Sequence, residues 1–387
     1  SMAIEARQNE LRGIVIPWEN AEEAALIDGI EVVGVKTLKE AVEFFKGNFK
    51  PHEIKLNPKE ELETEDLDFA EVKGQETLKR CIEIAAAGHH NILMIGAPGS
   101  GKTMLARRIP SILTSMTFQE SLEITKIYSI AGLLPSHTGL IKKRPFRAPH
   151  HSISAIGMIG GGRVPKPGEV TLAHNGVLFL DEFPEFSRET LELLRQPLEE
   201  ERVTISRINA TITYPAKFML VAAMNPCPCG YYGDPYHECS CSHNRISKYL
   251  SKLSGPLLDR IDLQVEAAPV KFSDFENTSS TDSATIKKRV EVARLIQLER
   301  YKDEKIYFNS QLTPKLIKKY CHLGKNEKTL LKTAFEKLKL SVRAYNKIIK
   351  LSRTIADLEG SGDIKERHMA EALRYRSIDK YYHNLKF

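Results

Sequence analysis

Asn91-Ile92-Leu93-Met94-Ile95-Gly96-Ala97-Pro98-Gly99-Ser100-Gly101-Lys102-Thr103 is the stretch whose reading decides the fold of this chain. The apolar run 92–95 reads as a buried strand, and Met104-Leu105-Ala106-Arg107-Arg108 supplies good helix formers. Between them, residues 96–103 fit G-x-x-x-x-G-K-[ST], the phosphate-binding loop, in the strand–loop–helix setting that the pattern requires. Glycines let successive backbone N–H groups converge on phosphate oxygens, and the following helix points its positive end the same way. The pattern assigns Gly96, Ala97, Pro98, Gly99, Ser100, Gly101, Lys102, Thr103 and Met104 to a nucleoside triphosphate. Lys102 would reach the β- and γ-phosphates and Thr103 would hold Mg²⁺. The plain alternative is a Gly-rich turn with a solvated lysine; the flanking strand and helix weigh against it.

Downstream, Gly176-Val177-Leu178-Phe179-Leu180-Asp181-Glu182-Phe183 places apolar residues ahead of two acids. This is the pattern of a buried parallel strand whose carboxyl end meets the ligand edge of a sheet. In phosphate-loop enzymes an acid there completes the Mg²⁺ site and a neighbouring group acts on the attacking water. Asp181 and Glu182 are assigned those roles; a solvated acidic turn is the alternative for the segment taken alone. Residues 188–198 have helical spacing. Residues 203–214 alternate β-branched and polar positions and read as a hairpin with Arg207, Asn209 or both near its tip. Residues 218–224 form another buried strand that ends at Asn225. If that strand neighbours the Asp181 strand, Asn225 stands close to the γ-phosphate and could position water or sense the phosphate.

Cys227-Pro228-Cys229 and Cys239-Ser240-Cys241 are two C-x-C pairs separated by nine residues. Together they can supply four thiolates to one tetrahedral ion, and Gly230, Gly233 and Pro235 let the loop fold back. The spacing is tighter than the common C-x₂-C knuckle. A structural Zn²⁺ and free or redox-active thiols both stay open, as do His237 and His243 as substitute ligands or ordinary loop histidines. Cys81 and Cys321 stand alone in helical patterns, where burial or no role at all is expected.

Two arginines carry a similar choice. Arg260, in Leu257-Leu258-Asp259-Arg260-Ile261-Asp262-Leu263, is either a surface ion-pair partner or, in a ring-shaped ATPase, the charge that reaches a neighbour's γ-phosphate. Arg343 falls in the first turn of a helix capped by Ser341, a place where the helix dipole disfavours a cation. It is either an exposed arginine with an acidic neighbour or a contact to nucleotide.

The chain has 387 residues, 42% hydrophobic and 27% charged, the make-up of an ordinary globular protein long enough for two or three domains. No apolar run is long enough for a membrane span, and the N-terminus lacks a signal-peptide layout, so a cytoplasmic location and no membrane partner are expected. Ser1-Met2 looks like an engineered start, and the natural chain is expected to extend upstream. The net charge of +6 hides an asymmetry: residues 1–70 carry 8 Lys/Arg against 16 Asp/Glu, and residues 284–387 carry 25 against 12. A basic C-terminal third is compatible with nucleic acid, although solvated helices have the same composition.

In combination, the phosphate loop, Leu180-Asp181-Glu182, Asn225, Leu258-Asp259-Arg260-Ile261-Asp262 and Ser341-Val342-Arg343-Ala344 follow the order of an AAA+ ATPase. With Val72-Lys73-Gly74-Gln75, Phe146-Arg147-Ala148-Pro149-His150-His151 and Asn225-Pro226-Cys227-Pro228-Cys229-Gly230, the chain resembles the Mg-chelatase-like ComM/YifB family over essentially its whole length. The resemblance implies an α/β fold: an AAA+ P-loop core of parallel sheet flanked by helices, a helical C-terminal lid, and a partial α/β Lon-like remnant at the N-terminus. The expected domains are 1–50 (end of a Lon-protease-like domain), 51–69 (acidic linker), 70–270 (AAA+ core), 271–284 (linker) and 285–387 (lid). Lys102 and Thr103 would fill Walker A, Asp181 and Glu182 Walker B, Asn225 sensor 1, Arg260 the arginine finger and Arg343 sensor 2. Residues near 145–163 look like the helix-2 insert, to which His150 and His151 would belong, and 201–216 like the pre-sensor-1 hairpin. Both would face the pore of a homo-hexamer assembled with nucleotide or DNA, where Arg207 would grip DNA. ATP, Mg²⁺ and a structural Zn²⁺ on Cys227, Cys229, Cys239 and Cys241 are the implied cofactors. The implied activity is an ATP-driven DNA translocase or branch-migration helicase acting in natural transformation or recombination. The alternatives are a magnesium-chelatase motor subunit acting on a tetrapyrrole pathway and a protein-remodelling ATPase.

Overall fold

The computed structural model describes residues 2–25, 27, 29–52, 54, 67–134, 140–162, 165–207, 210–269, 281–338 and 340–376. Most of the expected linkers at 51–69 and 271–284, and Asn209 at the expected hairpin tip, lie outside them. The chain forms two compact units, one from 1–65 with 116–143 and the other from 66–115 with 144–387.

In the first unit, β1 (Gly13–Pro17) and β2 (Glu31–Val35) pair in parallel, from Gly13 opposite Glu31 to Pro17 opposite Val35. Helices Met2–Gln8, Ala21–Ala24 and Leu38–Phe45 accompany them. The unit also takes in the helix Phe118–Ala131, which lies far along the chain from them. Thr117 and Glu120 close a reciprocal capping box at its start, and its Leu122 is buried among Ala3, Ile16, Ala21, Ala24 and Ile27.

The second unit is built on a five-stranded sheet. Its strands are β3 (Ile92–Ile95), β4 (Phe146–Arg147), β7 (Val177–Leu180), β10 (Met219–Met224) and β11 (Leu263–Glu266). Two antiparallel ladders supplement it, β5 (Gly160–Gly161) with β6 (Lys166–Pro167) and β8 (Arg202–Arg207) with β9 (Ala210–Pro215). The sheet order is β11-β3-β10-β7-β4, with every neighbouring pair parallel. The alternation of a strand sends Ile92, Met94, Phe179 and Val221 into one core, and Leu93, Ile95, Leu178 and Leu220 into the other. Helices therefore cover both faces, as a parallel sheet requires. Residues 145–170, expected as loop or insert, also contribute β4, the edge strand beside β7. A two-residue strand is too short to show any periodicity.

The C-terminal residues of this unit are helical: Ser283–Arg300, Pro314–Tyr320, Lys325–Lys337, Val342–Leu358 and Glu366–Arg374. The Ser341 hydroxyl accepts from Ala344 N at 3.2 Å, the expected cap. Ala344, Ile348, Leu351 and Ile355 are buried at helical spacing, and each of the larger ones contributes about 2 kcal/mol of transfer free energy. In the helix Lys325–Lys337, Leu331 is buried, whereas Phe335 and, just past the helix end, Leu338 remain exposed. Among the described residues, no helix is long and apolar enough to cross a membrane.

Candidate nucleotide site and cysteine cluster

The phosphate loop leaves the carboxyl end of β3. Gly99 and Gly101 have φ of +76° and +83°, a region that side chains with a Cβ rarely occupy, and these turns bring the chain around to the helix Lys102–Ile112. Gly96 is needed for space, because a Cβ there would meet Ala267 Cβ at 2.8 Å. Lys102 is buried and donates from Nζ to Gly96 O at 2.8 Å, Ala97 O at 2.9 Å and Ser100 Oγ at 3.2 Å. Burial pulls the pKa of this ammonium down and the Asp181 carboxylate partly offsets the effect. The loop thus presents a compact cation in a cradle of backbone groups. Met104 follows on the exposed side of the helix start.

Asp181 and Glu182 leave the carboxyl end of β7. Thr103 Oγ1 donates to Asp181 Oδ2 at 2.6 Å, and Glu182 N donates to Asp181 Oδ1 at 2.9 Å. Adjacent ligand oxygens of an octahedral Mg²⁺ sit about 2.9 Å apart, so Thr103 and Asp181 are spaced to share such an ion. Glu182 has φ of +50°, a left-handed conformation that costs a non-glycine residue about 1 kcal/mol. Its carboxylate faces His151, with His151 Nδ1 to Glu182 Oε2 at 3.0 Å, and His151 in turn lies against His150 with ring centroids 4.1 Å apart. The sequence offered the two histidines only as part of an insert. Their approach to Glu182 depends on β4 lying beside β7, which no local pattern reveals.

β10 lies between β3 and β7, so Asn225 follows a strand flanked by the phosphate-loop and Asp181 strands. This is the neighbour relation on which its expected place near the γ-phosphate depends.

Arg260 and Arg343 stand elsewhere. Asn91, immediately before β3, donates from Nδ2 to Arg260 O at 3.0 Å, and its Oδ1 accepts from Leu220 N at 2.9 Å. Arg260 therefore sits at the amino ends of the strands, and the rise of a strand puts Asn91 about 16 Å from Gly96. The Arg260 guanidinium donates to Pro256 O at 2.6 Å and pairs with Glu199, while its buried Nε has no partner among the described residues. Arg343 lies 3.7 Å from Asp259 and shares with Arg260 a polar cleft of about 700 Å³. In one copy of the chain, then, Lys102, Thr103, Asp181, Glu182 and Asn225 lie at one end of the sheet and the two arginines at the other.

Beneath that cleft, Asp262 accepts from Asn91 N at 3.1 Å and pairs with Lys347 at 3.3 Å, and His90 Nδ1 is 3.6 Å away. Burial alone would raise the Asp262 carboxyl, but Lys347 and His90 hold it well below the usual carboxylate range.

The hairpin expected at 203–214 is present as β8 and β9, with Arg207 opposite Ala210 at its end.

The four clustered cysteines converge. Sγ···Sγ distances are 3.3 Å for Cys227–Cys229, 3.7 Å for Cys227–Cys239 and 3.6 Å for Cys229–Cys239, and all four sulfurs lie within 4.8 Å of one another. Tetrahedral Zn²⁺ with Zn–S near 2.3 Å places its sulfurs about 3.8 Å apart, so this donor set fits that ion. Burial would raise the Cys229 thiol, but backbone N–H groups and the thiols of Cys227 and Cys241 bring it down to about 6, while burial pushes Cys227 up to about 12. His237 is instead paired with Asp234 at 3.3 Å, and Cys81 and Cys321 are buried singly.

Comparison with known proteins adds the lineage. The family described as magnesium chelatase, subunit ChlI, matches residues 68–275, and its C-terminal counterpart matches 280–376. The competence protein ComM of Haemophilus influenzae is 44% identical over 383 residues, 97% of this chain and 74% of that protein. YifB of Salmonella typhimurium is 41% identical over 373 residues, covering 95% and 72%. A more distant similarity, 24% over 228 residues, links 56% of the chain to 26% of the DNA replication licensing factor Mcm6 of Anopheles gambiae.

Proposed function

This chain belongs to the Mg-chelatase-like ComM/YifB family of AAA+ ATPases, and from that premise we propose that it is a Mg-ATP-hydrolysing motor that works as a homo-hexamer on DNA. The observation that carries the reading is the division of the site between the two ends of one sheet. Lys102 and the loop amides would bind the phosphates, Thr103 and Asp181 would hold Mg²⁺, Glu182 would polarise the attacking water, and Asn225 would orient that water. Apart from Lys102 and the Mg²⁺ itself, nothing in this set brings positive charge to the transferring phosphoryl group. Arg260 and Arg343 from the amino ends of the next copy's strands would supply it, a head-to-tail contact that closes into a ring.

The relatives support DNA as the cargo. The nearby similarities include a competence protein, and the distant one is a DNA replication factor. We place the β8–β9 hairpin, with Arg207 at its tip, and the 145–163 segment at the pore, where backbone phosphates would be passed from copy to copy. Such binding is tolerant of sequence and falls steeply with salt. Branch migration during recombination of incoming strands is the activity this suits. The Cys227, Cys229, Cys239 and Cys241 set would hold a structural Zn²⁺, in keeping with a cytoplasmic setting where thiols stay reduced. ATP turnover measured with single-stranded and forked DNA at low salt tests the reading. Stimulation is expected; turnover indifferent to both would count against DNA as cargo. The match to the ChlI description supports a second reading, a chelatase motor subunit, which predicts instead that the chain restores metal insertion to purified chelatase partner subunits.

A further inference from the structure

The cysteine cluster is joined to the phosphate loop at two points. On the entering side, Met224 O accepts from Gly96 N at 3.2 Å, and Cys227 follows Met224 after only Asn225 and Pro226. On the returning side, Gly230 has φ of +91° and packs so closely that a Cβ there would lie 2.5 Å from Pro98 Cδ and 2.8 Å from Pro98 Cγ. Gly230 N donates to Cys227 O at 3.0 Å, so the turn that presses on Pro98 is closed directly over the first cysteine. Cys227 is fully buried, while Cys229, Cys239 and Cys241 are half-buried around it.

Residues 230–238 form neither helix nor strand. A loop of this kind has little backbone hydrogen bonding to fix it, and a tetrahedral ion joining its two ends would replace that missing order. Unligated, the four sulfurs would have to share their protons at close quarters, and the two C-x-C arms would be free to separate.

We infer that a divalent metal ion on Cys227, Cys229, Cys239 and Cys241 sets the shape of the phosphate loop, so that nucleotide affinity depends on metal occupancy. The inference rests on the proposed structural Zn²⁺ and adds a consequence for the neighbouring site. With the ion bound, Gly230 buttresses Pro98, and the 96–99 turn keeps its amides converged. With the ion lost, the turn over Cys227 relaxes, Pro98 loses its wall, and the amides spread.

Three proteins test this, with Zn²⁺ as the probe and Mg²⁺ in excess throughout: wild type, Cys239→Ser with Cys241→Ser, and Gly230→Ala. Zinc content is read by elemental analysis, nucleotide affinity by titration with a fluorescent ATP analogue, and folding by thermal melting. Wild type should hold one zinc per chain. The cysteine double variant should hold none and bind nucleotide at least about tenfold more weakly, equivalent to about 1.4 kcal/mol. Gly230→Ala should keep its zinc and still bind nucleotide more weakly, because the added methyl displaces Pro98. Wild type that cannot be loaded with zinc overturns the metal assignment and the coupling with it. A folded, zinc-free double variant with unchanged affinity overturns the coupling while leaving the ATPase reading intact. Should the double variant not fold, Gly230→Ala decides: full zinc with unchanged nucleotide affinity overturns the coupling.

Discussion

His151 Nδ1 stands 3.0 Å from Glu182 Oε2, and the glutamate it meets is held at a φ of +50°. A carboxylate on a turn of this kind has more than one direction to point, and the imidazole selects one of them. His151 is thus placed to orient the carboxylate proposed to act on the attacking water. His151→Ala should lower ATP turnover by about tenfold, the order of loss expected when a reacting group is misaligned. Nucleotide affinity should stay within about twofold, because the partners of His151 are Glu182, His150 and Phe186 rather than the groups assigned to the phosphates. A merely structural role would instead show as a fall in melting temperature with binding and turnover lost together.

Glu182→Gln removes the proposed base and keeps the shape. The variant should bind ATP as wild type does and hydrolyse it at least about a hundredfold more slowly, the usual worth of a general base. Full turnover would remove Glu182 from that role.

Much of the candidate site was legible because its signals are local. Gly96 to Thr103 and Leu180-Asp181-Glu182 each pack a strand, its end and its polar groups into a few residues, and the structure brings Thr103 and Asp181 to 2.6 Å. The hairpin at 203–214 was equally plain from its alternation. The unread parts depend on tertiary placement. Phe146–Arg147 is too short to declare itself a strand, so the route by which His151 reaches Glu182 was hidden. The helix Phe118–Ala131 has an ordinary cap and a mixed surface; nothing in it says that Leu122 packs with Ile16 rather than with the sheet. Asn91 carries no local pattern to show that its amide ties Arg260 to β10.

The half-buried Asp262–Lys347 pair gives a stability signature. Asp262 has its folded pKa depressed, so it binds protons less readily in the folded chain than in the unfolded one. Its contribution is fully present above the unfolded value near about 4 and is lost as pH falls below that. Lys347→Met should leave the Asp262 carboxylate without its nearest cation and destabilise the fold by about 2 kcal/mol at neutral pH, measured by denaturant unfolding. The deficit should shrink as pH falls and Asp262 becomes protonated, because protonation removes the unpaired charge. A deficit independent of pH would show that Lys347 acts through packing alone.

Assembly should be linked to nucleotide. If the Arg260 and Arg343 cleft receives a neighbour's phosphates, ATP adds contacts across the interface, and by linkage ATP should promote the hexamer while the hexamer tightens ATP. Mass measurements in the presence and absence of a slowly hydrolysed ATP analogue check this. An identical mass distribution in both would separate assembly from the nucleotide site.

In the proposed ring each hydrolytic site is made by two copies, the phosphate loop of one and Arg260 of the next, and mixed rings test this. Lys102→Ala and Arg260→Ala chains should each be inactive when assembled alone. Unfolded from their rings and reassembled at equal ratio, they should recover about a quarter of the wild-type ATPase, because about one interface in four then joins an intact loop to an intact arginine. Verified mixed rings with no recovered turnover would contradict the shared site.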